Sequence, residues 1–272
     1  MDLSHIGTFH KQPGALKMAA SACPRLESVP ESQNPVWSVV VPMRDEAGNA
    51  GPLLDEIAAA MARIGPFEIV VIDDGSRDAT ATELAAARAR HPMATVLTCA
   101  VSCGQSQALI AGAVAARGRW LIAIDGDGQN DPADIAKLVE AHGRLGDDAG
   151  RGLVIGHRRV RADGAVKRIA SHIAAAARRL LLADTTPDTG CGLKILARET
   201  FLTLPRFDAL HRFVPVLVAR DGGRVVSVAV SHRPRRHGVS KYGVLRRGVV
   251  GIVDLVGVAW LIWRNTRPRI SR

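Results

Sequence analysis

The sequence predicts an α/β fold: a mostly parallel sheet with helices on both faces. Three observations carry this expectation. Short apolar, β-branched runs alternate with stretches of helical periodicity through residue 142. Three of those runs end in polar and acidic residues, where open parallel sheets take their ligands. The composition is globular, with 47% hydrophobic and 23% charged residues over 272 positions, and its 26 Gly and 14 Pro follow no period, which excludes wholesale disorder and repeat architecture.

Residues 38–42 read as a buried strand stopped by Pro42. Leu53, Ile57, Met61 and Ile64 then recur at helical spacing behind Pro52, a residue suited to a first helical turn. Residues 68–72 form a second strand, and 79–90 an Ala-rich helix with Asp78 as its N-cap. A third strand is expected at 95–99, a third helix at 105–116 and a fourth strand at 120–124. The second half is less regular: a strand at 152–155, a basic loop, a helix near 166–182, a Gly-rich strand at 190–196, a further helix, and a strand at 224–230. Residues 1–35 read as a loose leader, since Lys11 and Lys17 are not followed by the apolar stretch of a secretory signal. Residues 36–240 form the main domain, and 241–272 a basic and apolar C-terminal segment.

The formal charge of +10 is concentrated at one end. From Arg206 onward there are 14 Lys and Arg against three acids, and the rest of the chain is close to neutral. Such a quarter suits a polyanion: nucleic acid, an anionic membrane surface, or substrate phosphates. The four cysteines lack metal-ligand spacing, so neither a zinc site nor a disulfide framework is expected and a reducing compartment is the simpler reading. Residues 248–263 hold one charge, Asp254, between Arg246-Arg247 and Arg264. At 1.5 Å per residue the stretch is shorter than the roughly 30 Å hydrocarbon core, so it suits a helix lying at headgroup level better than one that spans; a helix packed on the domain is the alternative.

Asp125-Gly126-Asp127-Gly128-Gln129 places three oxygen-bearing side chains at alternate positions past an apolar strand, projecting to one side if the backbone is extended, with a plain Asp-Gly turn as the alternative reading. That set suits Mg²⁺ or Mn²⁺, with water and a diphosphate completing the coordination. Asp73-Asp74-Gly75-Ser76 ends another strand, where a carboxylate can reach a nucleotide. No Gly-x-Gly-x-x-Gly follows the first strand and no Walker sequence is present, which removes support for dinucleotide oxidoreductases and P-loop enzymes.

In order, Val41-Pro42-x-x-x-Glu46, Val71-Ile72-Asp73-Asp74-Gly75-Ser76-x-Asp78, Cys103-Gly104-Gln105 and Asp125-x-Asp127-x-Gln129-x-Asp131-Pro132 resemble the family 2 glycosyltransferases. Asp188-Thr189-Gly190-Cys191-Gly192-Leu193-Lys194 and the segment from His232 to Gly243 resemble the dolichol-phosphate mannosyltransferase-like, polyprenyl-phosphate branch. Departures from its pattern are Arg44 and Ser102 where Asn is usual, Cys191 for Ser, Leu193 for Phe, Lys194 for Arg, and glycines 126 and 128 beside Asp127.

The resemblance implies a Rossmann-like nucleotide-diphospho-sugar transferase fold, the A-type glycosyltransferase. It implies a GDP- or UDP-linked sugar donor, mannose by the branch, and a polyprenyl or dolichyl phosphate acceptor at the cytoplasmic membrane face, with the protein held peripherally. Pro42, Arg44, Glu46, Asp73, Gly104 and Asp125 then fall on the nucleotide-sugar site, and Asp125, Asp127 and Gln129 on the metal. Arg158, Lys194, Arg236 and Lys241 fall where the branch keeps phosphate-binding cations, and Asp127, Arg158, Asp188, Lys194 and Arg236 form the expected catalytic group. No nucleic acid is expected as a partner. A soluble-acceptor transferase of the same fold and a basic nucleic-acid binder are the competing readings; the second gives no purpose to the carboxylates at the strand ends.

Overall fold

The computed structural model describes residues 35–158, 176–235 and 244–264, the last of these without side chains before residue 251. Its centre is a seven-stranded sheet: β1 (Trp37–Met43), β2 (Phe67–Asp73), β3 (Ala94–Thr98), β4 (Trp120–Ala123), β5 (Leu153–Arg158), β6 (Lys194–Ala197) and β7 (Val225–Val230), in the spatial order β3-β2-β1-β4-β6-β5-β7. Every pairing is parallel except those of β6, which runs antiparallel to both β4 and β5.

The helices are α1 (Ala50–Met61), α2 (Thr80–Arg90), α3 (Gln105–Ala115), α4 (Ile135–Gly143), α5 (Arg198–Thr203), α6 (Leu210–Arg220) and α7 (Val244–Trp263). They form two layers: α1 packs with α2 and α4, while α3 packs with α5 and α6. The continuous β-branched runs of β1 and β2 are explained by this sandwiching, since strands covered on both faces have no polar side. Val39, Val41, Ile69, Val71 and Ile122 are all fully buried, each stabilising the fold by about 1.5–3 kcal/mol.

Several boundaries differ from those the sequence suggests. Asp78 is not the residue directly preceding α2; one carboxylate oxygen accepts bonds from the Thr80 amide at 3.0 Å and its hydroxyl at 2.5 Å, and the other accepts from Ala47 N at 3.1 Å, tying the helix start to the β1 loop. The expected strand at 190–196 is strand only from Lys194, because residues 190–193 form a loop over the end of β4. Of the expected helix near 166–182, residues 176–182 are helical and the remainder lies outside the described residues.

The direction of β6 decides which charges reach the functional edge of the sheet. Parallel strands bring their carboxyl ends to one edge, and an antiparallel strand brings its first residue there instead. Lys194 opens β6 and lies in register with Ala123 of β4 and Ile155 of β5, so a cation is delivered to the edge where the acidic loops emerge.

Candidate active site

The loop after β1 is closed by the loop after β2. Asp45 N donates to Ser76 Oγ at 2.9 Å, Arg77 N returns a bond to Asp45 Oδ1 at 2.7 Å, and Glu46 N donates to Thr80 Oγ1 at 2.8 Å. Pro42 is buried within β1, and Glu46, 8% exposed, accepts from Asn49 Nδ2 at 2.9 Å. Asp73 is 1% exposed and holds the turn by accepting from Ser76 N at 3.0 Å.

Asp74 organises the approach to α3. Its carboxylate accepts from Cys103 N at 2.6 Å, Ser102 Oγ at 2.7 Å and Gly104 N at 3.0 Å. Burial opposes its charge, but these donors outweigh it and hold the carboxyl below its ordinary range. Two departures from the family pattern meet here, since Arg44 Nη1 donates to Ser102 Oγ at 2.8 Å. One substitution supplies the partner for the other. Cys99 and Cys103 stand 3.8 Å apart at sulfur, and each offers a ligand atom within 4.8 Å of Asp74. The Cys103 thiol is pushed up to about 12 by burial and by the Asp74 carboxylate, which keeps it protonated.

The Asp125 to Gln129 segment is a turn, not the extended run the alternation predicts. Gly128 has φ +70°, and Asp127 Oδ1 accepts from Gln129 N at 3.1 Å, an Asx-type closure. Gly126 lies against β1 so closely that a Cβ would come 2.4 Å from Met43 Cγ and 2.7 Å from Pro42 O. The Gln129 amide donates to Arg233 O at 3.5 Å, so the three side chains do not line up as a simple comb.

Asp125 rests on the loop before β6, where a Cβ on Gly192 would fall 2.2 Å from its Cγ. Only glycine fits beneath that carboxylate. Gln105 Nε2, at the start of α3, donates to Asp125 Oδ1 at 2.8 Å. Burial, then the negative charge of Asp127, pushes the Asp125 carboxyl up to about 6, against the pull of Lys194, Arg158 and Arg235. A carboxylate whose ionisation is opposed by burial and by a second carboxylate forms with it a hard donor set that a divalent cation relieves, so the residues fit Mg²⁺ or Mn²⁺.

Three cations face this pair. Arg158, the last residue of β5, is gripped bidentately by Asp188, with Nε to Oδ2 at 2.6 Å and Nη2 to Oδ1 at 2.9 Å. Asp188 is 2% exposed, and its hydrogen bonds raise the guanidinium above its ordinary value. Lys194 is 6% exposed and donates to Cys191 O; burial lowers its pKa while Asp125 raises it. Arg235 Nη2 donates to Asp127 Oδ2 at 2.7 Å and lies 3.9 Å from Glu46 Oε1.

The described residues therefore bring together Glu46, Asp125, Asp127, Arg158, Asp188 and Lys194, with Pro42, Arg44, Asp73, Gly104 and Gln129 in the surrounding loops. Arg236 and Lys241 lie outside the described residues. Sequence reasoning missed Arg235 and Gln105, although both stand inside the family-like segments. Their signal was adjacency to a motif residue, which does not say that Arg235 reaches Asp127 or Gln105 reaches Asp125.

Below Asp125 a cavity of about 240 Å³ descends between the sheet and the α3/α5/α6 layer. Gln105, Asp125, Gly192 and Lys194 line its upper part, Leu109, Leu121, Leu196 and Phe201 its walls, and His211 and Arg212 enter from α6.

A sheet with one reversed strand thus carries paired carboxylates at a parallel-strand end, with cations opposite them. Residues 38–204 match the family described as glycosyl transferase family 2, and the chain belongs to that family. It is 36% identical over 236 residues to a dodecaprenyl-phosphate galacturonate synthase of Rhizobium johnstonii, an alignment that covers 85% of this chain and 68% of that one. It is 31% identical over 212 residues to an undecaprenyl-phosphate 4-deoxy-4-formamido-L-arabinose transferase of Edwardsiella ictaluri, covering 77% and 63%. The chain thus spans about two thirds of the length of these relatives, both polyprenyl-phosphate sugar transferases by name. Among solved structures, mannosyl-3-phosphoglycerate synthase from Rubrobacter xylanophilus superposes with a TM-score of 0.62 at 21% identity, covering 86% of this chain and 77% of that one. Glucosyl-3-phosphoglycerate synthase from Mycobacterium tuberculosis, solved with Mn²⁺, UDP-glucose and glycerol 3-phosphate, gives 0.60 at 23% identity, covering 82% and 80%. At those identities the likeness is one of fold.

Proposed function

We propose that the protein transfers a sugar from a nucleotide-diphosphate donor to a polyprenyl phosphate, with inversion at the anomeric carbon. The observation that carries this reading is the meeting of Asp125 and Asp127 with Arg158, Lys194 and Arg235 at one sheet edge. Repelling acids beside clustered cations suit a site that must hold a cation and two phosphate groups together. Asp125 and Asp127, with Gln129 beside them, would hold Mg²⁺ or Mn²⁺, which when bound supplies charge neutralisation for the departing diphosphate. Pro42, Arg44, Glu46, Asp73 and Gly104 are assigned to the nucleotide.

The acceptor phosphate is ionised at neutral pH, so one of its oxygens forms the new bond to the anomeric carbon while the bond to the diphosphate breaks. No side chain needs to remove a proton. Arg158 and Lys194 hold the two anionic groups at reacting distance, and Asp188 acts through Arg158 by fixing the plane of its guanidinium. We assign Arg236 and Lys241 to the same phosphates. The motif resemblance points to mannose, whereas the names of the curated relatives carry galacturonate and 4-deoxy-4-formamido-L-arabinose; their closer match favours a sugar other than mannose.

The C-terminal helix supports action at a membrane surface. No described helix is long and apolar enough to cross a membrane. Helix α7 has two apolar stripes: Leu255, Val258, Ala259 and Ile262 pack on the domain, while Ile252, Val253, Val256, Trp260 and Trp263 are exposed. One face of this helix is thus packed on the domain, and we assign the exposed face to the membrane interface. We assign residues 36–240 to catalysis and 241–272 to a peripheral hold on an anionic membrane, at the cytoplasmic face where nucleotide sugars are made. Turnover with a panel of GDP- and UDP-sugars, Mn²⁺ and polyprenyl phosphate tests the reading. Lipid-linked product that disappears with chelator is expected. Transfer to soluble acceptors alone, or nucleic-acid binding without nucleotide-sugar binding, would overturn it.

A further inference from the structure

Cys99 follows β3 and Cys103 stands just before α3, in a loop that is held at both ends. Cys99 N donates to Asp73 O at 2.8 Å, and Cys103 N donates to Asp74 Oδ1 at 2.6 Å. Between these anchors the loop lies on Gly75, whose φ of +67° suits glycine and where a Cβ would come 2.9 Å from Ser102 N. The fixed loop sets the two sulfurs 3.8 Å apart, and both lie within 4.8 Å of a carboxylate oxygen of Asp74. Cys103 is exposed and Cys99 half-buried, so the cluster opens to solvent, while Asp74 is 4% exposed beneath it. None of the three is among the residues assigned to the metal, the nucleotide or the phosphates.

We infer that Cys99, Cys103 and Asp74 bind a thiophilic divalent cation of the Zn²⁺ class, at a site separate from the hard pair Asp125 and Asp127. Two thiolates on one tetrahedral Zn²⁺, each about 2.3 Å from it, lie roughly 3.8 Å from each other, so the sulfurs already stand at the required separation. The Cys99-x-x-x-Cys103 spacing falls within the roughly two to four intervening residues of paired zinc cysteines. A second such pair is missing from the sequence, and the fold supplies a carboxylate in its place. Asp74 accepts bonds from Ser102 Oγ, Cys103 N and Gly104 N, three of the about four that its lone pairs allow. The Cys103 S–H also turns to this carboxylate, and its proton is one that the cation displaces. Each thiol gives its proton to solvent as its sulfur takes the cation, and no electron moves. Water takes the fourth position. Sulfur ligands select Zn²⁺ over Mg²⁺, which prefers an all-oxygen set. Such binding goes beyond the transferase reading and needs neither donor nor acceptor. The cation clamps the β3–α3 loop, whose Ser102 also holds Arg44 at 2.8 Å.

The test is titration of the full, reduced chain with Zn²⁺ and with Co²⁺, under excess Mg²⁺ and a reductant that is not itself a thiol. One equivalent of Zn²⁺ should bind, and Co²⁺ should develop a thiolate-to-metal charge-transfer band with the strong visible absorption of tetrahedral coordination. Cys99→Ser combined with Cys103→Ser should remove the band and weaken Zn²⁺ binding by about 100-fold or more, since even an outer partner of a metal ligand is worth roughly 10- to 100-fold. Asp74→Asn should weaken binding by about 10-fold or more and keep the band. The band should persist in Asp127→Ala, which separates this site from the hard one, and in Cys23→Ser. Equal Zn²⁺ affinity in the wild type and the double cysteine variant, a Co²⁺ spectrum without charge transfer, or wild-type affinity in Asp74→Asn overturns the inference and leaves the transferase reading standing. So does a chain that takes up no cation and loses the mass of two hydrogens in air, which would make the two cysteines a disulfide couple.

Discussion

Carboxylates stand at both ends of the central sheet and are handled in opposite ways. At the amino end, Glu68 of β2 is 3% exposed and accepts from Ser38 Oγ at 2.7 Å, Arg117 N at 2.6 Å and Arg117 Nε at 2.9 Å. Its charge is matched by a guanidinium and its lone pairs by local donors. At the carboxyl end, Asp125 takes one amide bond from Gln105 and faces a second acid, and its carboxyl is pushed up to about 6. The amino end is a finished ion pair that holds β1, β2 and the α3–β4 turn together. The carboxyl end keeps negative charge in a place that disfavours it, and such a place gains most from a bound cation.

The largest effect expected from breaking this contrast is at Asp127. Asp127→Ala should lower transfer by several orders of magnitude while the fold survives, since losing several kcal/mol of charge stabilisation acts on the rate directly and little packing depends on that turn. Turnover close to wild type, with metal still required, would remove Asp127 from the site. At the other end, Glu68→Ala should leave Arg117 without its partner and destabilise the protein by about 3 kcal/mol. Thermal unfolding should show this, with the Michaelis constant for donor unchanged.

A smaller effect separates the two ends by pH. Between the ordinary Asp value of 3.8 and about 6, the folded chain holds the Asp125 proton more tightly than the unfolded chain does, so this group's contribution to stability falls as pH rises through that window. Asp125→Asn should flatten the fall and raise metal-free stability at pH 7 by about 1–3 kcal/mol. Glu68→Gln should show no such gain. Denaturant midpoints across pH 4–8 in the presence of chelator measure both.

The two halves of the chain also differ in how far the sequence discloses them. Residues 37–123 were legible because each strand is a continuous apolar run between helices of clear period, and the parallel order follows from that alternation. After β4 the logic changes. Strand β6 is four residues long and antiparallel, and nothing in Lys194–Ala197 states its direction. The carboxylates of the site could be found because acids at strand ends stand out against apolar runs. The Asp188 grip on Arg158 and the reach of Arg235 to Asp127 join residues 30 and 108 positions apart, and such pairings arise only when the sheet is assembled. Between the extended run and the Asp-Gly turn that Asp125–Gln129 allows, its two glycines decide for the turn. One permits φ +70° and the other permits contact with β1.

A site that joins an already ionised acceptor to a sugar needs cations in place of a general base. The most direct measurement is transfer from the preferred nucleotide sugar, with Mn²⁺, to a polyprenyl phosphate and to the matching polyprenol, with the anomeric configuration of the product read by NMR. Product is expected from the phosphate alone, of configuration opposite to the donor, with one nucleoside diphosphate released per transfer. Comparable turnover of the alcohol, or retention of configuration, would contradict it.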